Sequence, residues 1–189
     1  SHEHNVDLAG SYLSEVKGVI HNLFFLIEPD GKVQLQAKRH LFAPGGEKKF
    51  VSSATSRSIF TFKGWYILPI ICYDLRFPVW CRNVSNEYDL IIAVANWPRP
   101  RREVFRTLLR ARAMENLSYV IGVNRVGEDP NRLVYSGESV IIDPRGKALV
   151  EAEEGADTVI TATLDYAPLQ DLRQKFPVWA DADSFLLQI

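Results

Sequence analysis

The sequence holds only two cysteines, Cys72 and Cys81, in 189 residues. That is too few for a disulfide framework, and their separation is not the Cys-x-x-Cys spacing of a metal or redox motif. Such sparing use of cysteine fits a reducing cytoplasm. An excess of either charge is also missing, since 22 Lys+Arg face 23 Asp+Glu. Basic residues are interspersed with acids except at Arg99, Arg101 and Arg102, so the extended basic footprint of a nucleic-acid binder is absent. No apolar run approaches the ~20 residues that span a membrane. The opening Ser1-His-Glu-His-Asn-Val-Asp7 has no apolar core of a secretion signal. There are no internal repeats and no low-complexity segments. With 47% hydrophobic residues, the chain reads as one soluble domain over residues 1–189 with a sizeable core and neither nucleic acid nor membrane as partner.

Strand-like and helix-like segments alternate, the pattern of an α/β fold. His21–Glu28 and Lys32–Gln36 read as a hairpin around Pro29-Asp-Gly31, where Pro presets φ and Gly accepts positive φ. Ser139–Ile142 and Ala148–Glu151 repeat the device around Pro144-Arg-Gly146. Asp89–Ala95 and Tyr119–Val123 are short, apolar and rich in Ile and Val, hence buried strands. Between them Arg102–Leu117 reads as a helix, because Phe105, Leu108, Leu109, Ala113 and Leu117 recur at three- and four-residue spacing.

The stretch richest in chemical information is Trp65-Tyr-Ile-Leu-Pro-Ile-Ile-Cys-Tyr-Asp-Leu-Arg-Phe-Pro78. A strand buried on both faces reads as a continuous apolar run, and its carboxyl end projects into the crevice where open α/β sheets bind ligands. Cys72 stands there as a candidate nucleophile. A lone Cys after an apolar run is also a small core residue in many proteins, and Asp74 and Arg76 after it read as a structural pair anchoring the turn. Upstream, Ala37-Lys-Arg-His-Leu-Phe-Ala-Pro-Gly-Gly-Glu47 follows another strand-like run. Read alone, Lys38 is a solvated strand-end lysine and Glu47 a loop carboxylate beside Lys48 and Lys49.

Taken together, Lys38-Arg-His-Leu-Phe42 and Ile71-Cys-Tyr-Asp-Leu-Arg-Phe-Pro78 resemble the nitrilase, or carbon-nitrogen hydrolase, superfamily. Matches continue in the same order through Val94-Ala-Asn-Trp-Pro98, Arg110-Ala-Arg-Ala-Met-Glu-Asn116, Val123-Asn-Arg-Val-Gly127, Tyr135-Ser-Gly-Glu-Ser139 and Phe176-Pro-Val-Trp179. The resemblance covers about residues 10 to 189, and the wording is most similar to bacterial omega-amidases, which hydrolyse the terminal amide of 2-oxoglutaramate-type acids. It implies an α-β-β-α sandwich and an amidase that works through a covalent thioester without metal or cofactor. Cys72 would be the nucleophile. Lys38 would favour its thiolate and hold the tetrahedral oxyanion together with the Tyr73 N–H, and Glu47 would orient Lys38 or the substrate amide. Asn96 and Trp97, at the end of a buried strand, would wall the substrate pocket, although Trp97 also reads as core.

The family's catalytic Glu lies upstream of all these motifs, in a segment worded Pro-Glu-Met-Phe or similar. Glu3, Asp7, Glu15, Glu28 and Asp30 match no such wording. The expected fold is therefore an N-terminally incomplete sandwich, with doubtful activity for these 189 residues by themselves. The alternatives are a crippled fragment serving as a binding or scaffold module, another superfamily amidase or carbamoylase, and a Cys-His hydrolase using Cys72 and His40; His40 otherwise reads as a packed residue. Arg99, Arg101 and Arg102 are candidates for binding a substrate carboxylate at the pocket mouth. Glu115 and Asn116 read as braces for the turn after Cys72. The resemblance further implies a homodimer, paired through a helix at about Val79–Asn86 and through the apolar carboxyl-terminal residues Phe176, Trp179, Phe185, Leu186 and Leu187.

Overall fold

The computed structural model describes residues 1–187. Strands β1 (Leu8–Val16), β2 (Val19–Ile27) and β3 (Val33–Ala37) form an antiparallel sheet. The β2–β3 hairpin turns where the sequence predicts, with Gly31 at φ +91°. The β1–β2 hairpin is an addition. Its turn residues, Lys17 and Gly18, sit at φ +52° and +78°, the paired left-handed geometry that matches strand twist in a two-residue loop.

The chain continues through β4 (Phe60–Phe62), β5 (Trp65–Ile71), a single helical turn α1 (Pro78–Cys81), β6 (Leu90–Ala95), helix α2 (Arg102–Asn116) and β7 (Tyr119–Asn124). A small ribbon, β8 (Val126–Glu128) with β9 (Val134–Ser136), precedes β10 (Val140–Ile142), β11 (Ala148–Glu151) and helix α3 (Tyr166–Lys175). The second sheet runs in the order β11-β10-β7-β6-β5-β4, and its centre, β5-β6-β7, is parallel. Parallel neighbours need a crossover, and α2 supplies the one from β6 to β7.

Period-two alternation sorts the strand residues to two faces. Leu68 and Ile70 of β5 and Ile91 and Ala93 of β6 pack with Phe105, Leu109 and Ala113 of α2. Ile67 and Ile71, with Leu90 and Val94, pack with Phe24 and Leu26 of β2 and Leu169 of α3. The layers are thus helix, sheet, sheet, three of the four layers of the α-β-β-α sandwich that the resemblance implies. A Cβ on Gly122 of β7 would stand 2.4 Å from the Leu109 side chain of α2, so a larger residue there would force Leu109 to shift.

The helix expected at Val79–Asn86 does not form. After α1, Arg82 is extended, and a 3-10 turn at Val84–Asn86 contains Ser85 at φ +52° and is followed at once by Glu87. The Asn83 side chain accepts from Tyr88 N–H at 3.2 Å and donates to Tyr88 C=O at 2.9 Å. An asparagine that bonds nearby backbone in this way competes with helix formation. Of the apolar carboxyl-terminal residues, Phe176, Trp179, Phe185 and Leu186 are exposed, whereas Leu187 packs on the α2-side core. Among the described residues, no helix is long and apolar enough to cross a membrane.

Candidate active site

Cys72 is the first residue past β5 and sits at φ +48°. A non-glycine side chain in that left-handed region is strained, and such strain concentrates at functional sites. The turn from Cys72 to Arg76 is pinned by Asp74, which is buried. Its carboxylate accepts from Ile71 N–H at 3.2 Å, from His40 N–H at 2.7 Å and from His40 Nδ1 at 2.9 Å. Asp74 therefore joins the nucleophile turn to the segment that carries Lys38, and the expected Asp74–Arg76 pair is not made. The Asp74 carboxylate points back to backbone N–H groups, while Arg76 points into the cavity and lies over the Trp97 ring at 5.2 Å.

Arg112 braces the same turn, donating to Leu75 C=O at 2.8 and 3.2 Å, and Glu115 holds Arg112 at 2.8 Å. The bracing expected of Glu115 is thus real but indirect. Asn116 instead serves Asn83, accepting from its N–H at 2.9 Å. The His40 ring stacks on Phe77 at 3.6 Å, with Nδ1 engaged by Asp74, and His40 does not line the cavity around Cys72. That arrangement overturns the Cys-His alternative.

Lys38 follows β3 directly and is buried, its backbone N–H donating to Asn22 C=O of β2 at 2.8 Å. Its ammonium donates to Glu47 Oε2 at 2.6 Å. The same carboxylate accepts from Phe42 N–H at 2.6 Å and from Asn22 Nδ2 at 3.5 Å. Glu47 is thus fixed by three donors from three segments and aims the lysine. A lysine this buried would be unfavourable without such a partner.

Burial is the strongest influence on the Cys72 thiol and holds its pKa above the ordinary value. Lys38 pulls in the opposite direction, with help from a hydrogen bond to the Asn96 backbone, while Glu47 and Asp74 add to the rise. Lys38 thus favours the thiolate, as expected, but burial outweighs it and Glu47 compensates its charge. Cys81 is fully buried and pushed up to about 12.

Ionisation and access together set alkylation rates. Iodoacetamide should label half-buried Cys72 well before Cys81, and faster as pH rises, because a raised pKa leaves mainly thiol at neutral pH. Glu47→Gln should speed labelling of Cys72 near pH 8 and His40→Ala should leave it unchanged. Slower labelling of Glu47→Gln by mass spectrometry would mean that Glu47 does not oppose the thiolate.

Cys72, Lys38, Glu47, Tyr73, Asn96 and Trp97 all line one cavity of about 600 Å³ at the carboxyl ends of β5, β6 and β7. Trp97 is both wall and core: it is buried against Phe105 and its indole N–H donates to Arg101 C=O at 2.8 Å. Of the three mouth arginines only Arg101 reaches the cavity, stacked over Phe42 at 5.5 Å. Arg99 and Arg102 both pair with Glu154.

Sequence reasoning missed Asn22, Asn124 and Arg125 as cavity residues. Asn22 was detectable as an amide inside an apolar strand, and Asn124 as a polar residue ending a buried strand, the same signal that singles out Asn96. Glu47 is the only carboxylate of the cavity among the described residues. Glu138 is turned away, bound to Arg106 at 2.9 Å and Ser136 Oγ at 2.7 Å.

A layered α/β fold carrying Cys, Lys and Glu on one cavity defines a class, and residues 1–174 match the carbon-nitrogen hydrolase family, to which this chain belongs. The chain is 46% identical over 183 residues to Omega-amidase YafV of Escherichia coli (strain K12), covering 97% of this chain and 71% of that protein. It is 32% identical over 184 residues to 2-oxoglutaramate amidase of Bacillus subtilis (strain 168), covering 95% and 70%. Among solved structures it superposes on XC1258 of Xanthomonas campestris, a CN-hydrolase superfamily protein with an arsenic adduct in its active site. There the TM-score is 0.94 at 42% identity, covering 97% of this chain and 71% of that one.

Proposed function

We propose that this enzyme hydrolyses the terminal amide of a small acidic substrate of the 2-oxoglutaramate kind, releasing ammonia through a thioester on Cys72. One observation carries the reading. Cys72 and the Lys38–Glu47 pair face a cavity whose other charged lining residues are Arg76, Arg101 and Arg125, none of them ion-paired among the described residues. With Lys38 compensated by Glu47, three guanidiniums remain to receive an anionic acyl group. The names of the relatives, omega-amidase and 2-oxoglutaramate amidase, support the same substrate class.

In the forward step the Cys72 sulfur bonds to the amide carbon while the thiol proton passes to the amide nitrogen, which leaves as ammonia when the C–N bond breaks. The carbonyl oxygen becomes an oxyanion facing Lys38 Nζ and the Tyr73 N–H, and collapse expels ammonia with the transferred proton. Water then cleaves the thioester to the acid and restores the thiol. Both steps need a proton shuttle within reach of sulfur, and Glu47, occupied by Lys38, Phe42 and Asn22, acts as the orienter rather than the shuttle. Incubating the 189-residue chain with 2-oxoglutaramate should leave an acyl adduct on Cys72 that is released slowly, detected by mass spectrometry of the Cys72 peptide. Absence of both adduct and ammonia would leave a binding or scaffold role. Full turnover would assign the shuttle to another acid of this chain.

Free thiols at both cysteines fit a cytoplasmic setting. A homodimer is proposed to cover Phe176, Trp179, Phe185 and Leu186, which are large and apolar for exposed residues. Truncation before Phe176 should move sedimentation from dimer to monomer or cause aggregation, and an unchanged dimer would remove this segment from the interface.

A further inference from the structure

Asp74 lies behind the cavity wall rather than on it, buried to 2% exposure. Its two carboxylate oxygens nevertheless grip the backbone on both sides of the chemistry. Oδ2 accepts from Ile71 N–H at 3.2 Å, which closes a loop around Cys72 and Tyr73. Both the sulfur and the Tyr73 N–H, one of the two proposed oxyanion donors, belong to that loop. Oδ1 accepts from His40 N–H at 2.7 Å and from His40 Nδ1 at 2.9 Å, 34 positions earlier in the chain. Two residues before His40 stands Lys38, the other proposed donor, whose own N–H is held by Asn22 C=O at 2.8 Å.

Cys72 keeps φ at +48°, a strained conformation that persists only where the surroundings over-determine it. The bond to Ile71 N–H acts immediately before that residue. Ring contacts also bring the two segments together, Tyr73 against Phe42 and Phe77 against His40. Such contacts are weakly directional, whereas hydrogen bonds to backbone fix register.

We infer that Asp74 is a positioning residue for acyl transfer: it holds the Cys72 sulfur, the Tyr73 N–H and the Lys38 segment in the arrangement in which an attacked carbonyl meets both oxyanion donors. It touches neither substrate nor sulfur in this scheme. A carboxylate is required because all three partners are donors, and only an ionised acid accepts at both oxygens. Asparagine has the same shape but one acceptor and one donor. Whichever way it turns, its N–H₂ meets a backbone N–H, so Asp74→Asn breaks the bridge at one end without leaving a cavity.

The test compares two reactions of Cys72 in the 189-residue chain, read by mass spectrometry of the cysteine peptides, with a urea melt to verify cooperative folding. With p-nitrophenyl acetate the sulfur takes the acetyl group through a tetrahedral oxyanion and nitrophenolate leaves; iodoacetamide alkylates the sulfur with no oxyanion. Asp74→Asn should slow acylation about 10- to 100-fold, the scale of loss for a misplacement of about 1 Å. It should not slow alkylation, since a carboxylate beside a thiolate only opposes it. Cys81, whose Sγ is 3.6 Å from Asp74 C=O, should stay unlabelled and thereby report that the turn has not opened.

Asn83→Ala serves as the structural control. Asn83 is also buried and makes three comparable bonds, to Tyr88 N–H, Tyr88 C=O and Asn116 C=O at 3.2, 2.9 and 3.0 Å, but it does not line the cavity or bridge to Lys38. Its loss should lower the urea midpoint and leave acylation at the parent rate. Parental acylation in a folded Asp74→Asn, acylation and alkylation falling together, Cys81 becoming reactive alongside Cys72, or equal acylation losses in Asp74→Asn and Asn83→Ala would each overturn the inference. Where Asp74→Asn does not fold, His40→Ala decides: it cuts one of the three bonds, so acylation should fall about threefold with alkylation unchanged, and parental acylation would overturn the inference. The inference rests on Cys72 and the oxyanion donors proposed above, but the ester carries no acidic acyl group, so an error in the substrate class leaves this test standing.

Discussion

Lys38→Ala should slow acylation of Cys72 by 2-oxoglutaramate by about 100- to 1000-fold, the usual loss when one oxyanion donor is removed. Two effects add. The ammonium leaves the place where negative charge develops, and Glu47, no longer paired, stands as a bare carboxylate on the cavity wall and disfavours the thiolate further. Labelling by iodoacetamide, which has no oxyanion, should fall less than acylation, and that difference separates the two effects. Lys38→Arg should not rescue, because a planar guanidinium presents its donors in a fork and the space beside Glu47 is built for one point charge. Acylation within tenfold of the parent in Lys38→Ala would move the oxyanion site elsewhere.

Arg173→Met should destabilise the fold by about 3–5 kcal/mol, the range for removing one partner of a buried ion pair. Arg173 projects from α3 with 4% of its surface exposed. It pairs with Asp89 at 2.6 Å and donates to Tyr88 C=O at 2.7 Å and Leu117 C=O at 3.0 Å. Asp89 also accepts from Tyr66 N–H at 3.1 Å, so the pair ties the starts of β5, β6 and β7 to α3. Without the guanidinium, Asp89 is left charged in the interior, Leu117 C=O loses its donor and Tyr88 C=O keeps only Asn83. The exposed Lys175–Asp171 pair on the same helix should contribute about 0.5 kcal/mol or less when broken. Urea melts of Arg173→Met and Lys175→Ala measure the contrast, and comparable midpoints would show that the buried pair is not a structural lock.

Much of the architecture was readable because burial leaves a periodic trace. Continuous apolar runs marked β5, β6 and β7, three- and four-residue spacing marked α2, and the Pro-x-Gly turns marked two hairpins. Strand β1 escaped because its residues are mostly exposed, which leaves no alternation to read. Helix α3 lacked a strong apolar stripe, and its start is set by Asp165 capping the Ala167 N–H. The helix that the resemblance implies at about Val79–Asn86 stops at Cys81, because the Asn83 side chain bonds backbone across the turn, a pairing that family wording does not carry.

The same division runs through the site. By itself the sequence determined the reacting group and its neighbours in kind: a Cys ending a buried strand, a Lys and a Glu after another, an Asn-Trp pair ending a third. Wording of that sort is carried by residue identity and order. Only the tertiary structure decided how charges pair, because pairing follows direction and distance between segments far apart in sequence. It sent Asp74 to His40 instead of Arg76, set Glu47 against Lys38, tied Arg99 and Arg102 to Glu154, and left Arg76, Arg101 and Arg125 facing the cavity. It also decided the balance at the nucleophile: a lysine nearby favours thiolate, but burial of the sulfur and the Glu47 carboxylate are properties of the packed interior and push the Cys72 pKa up.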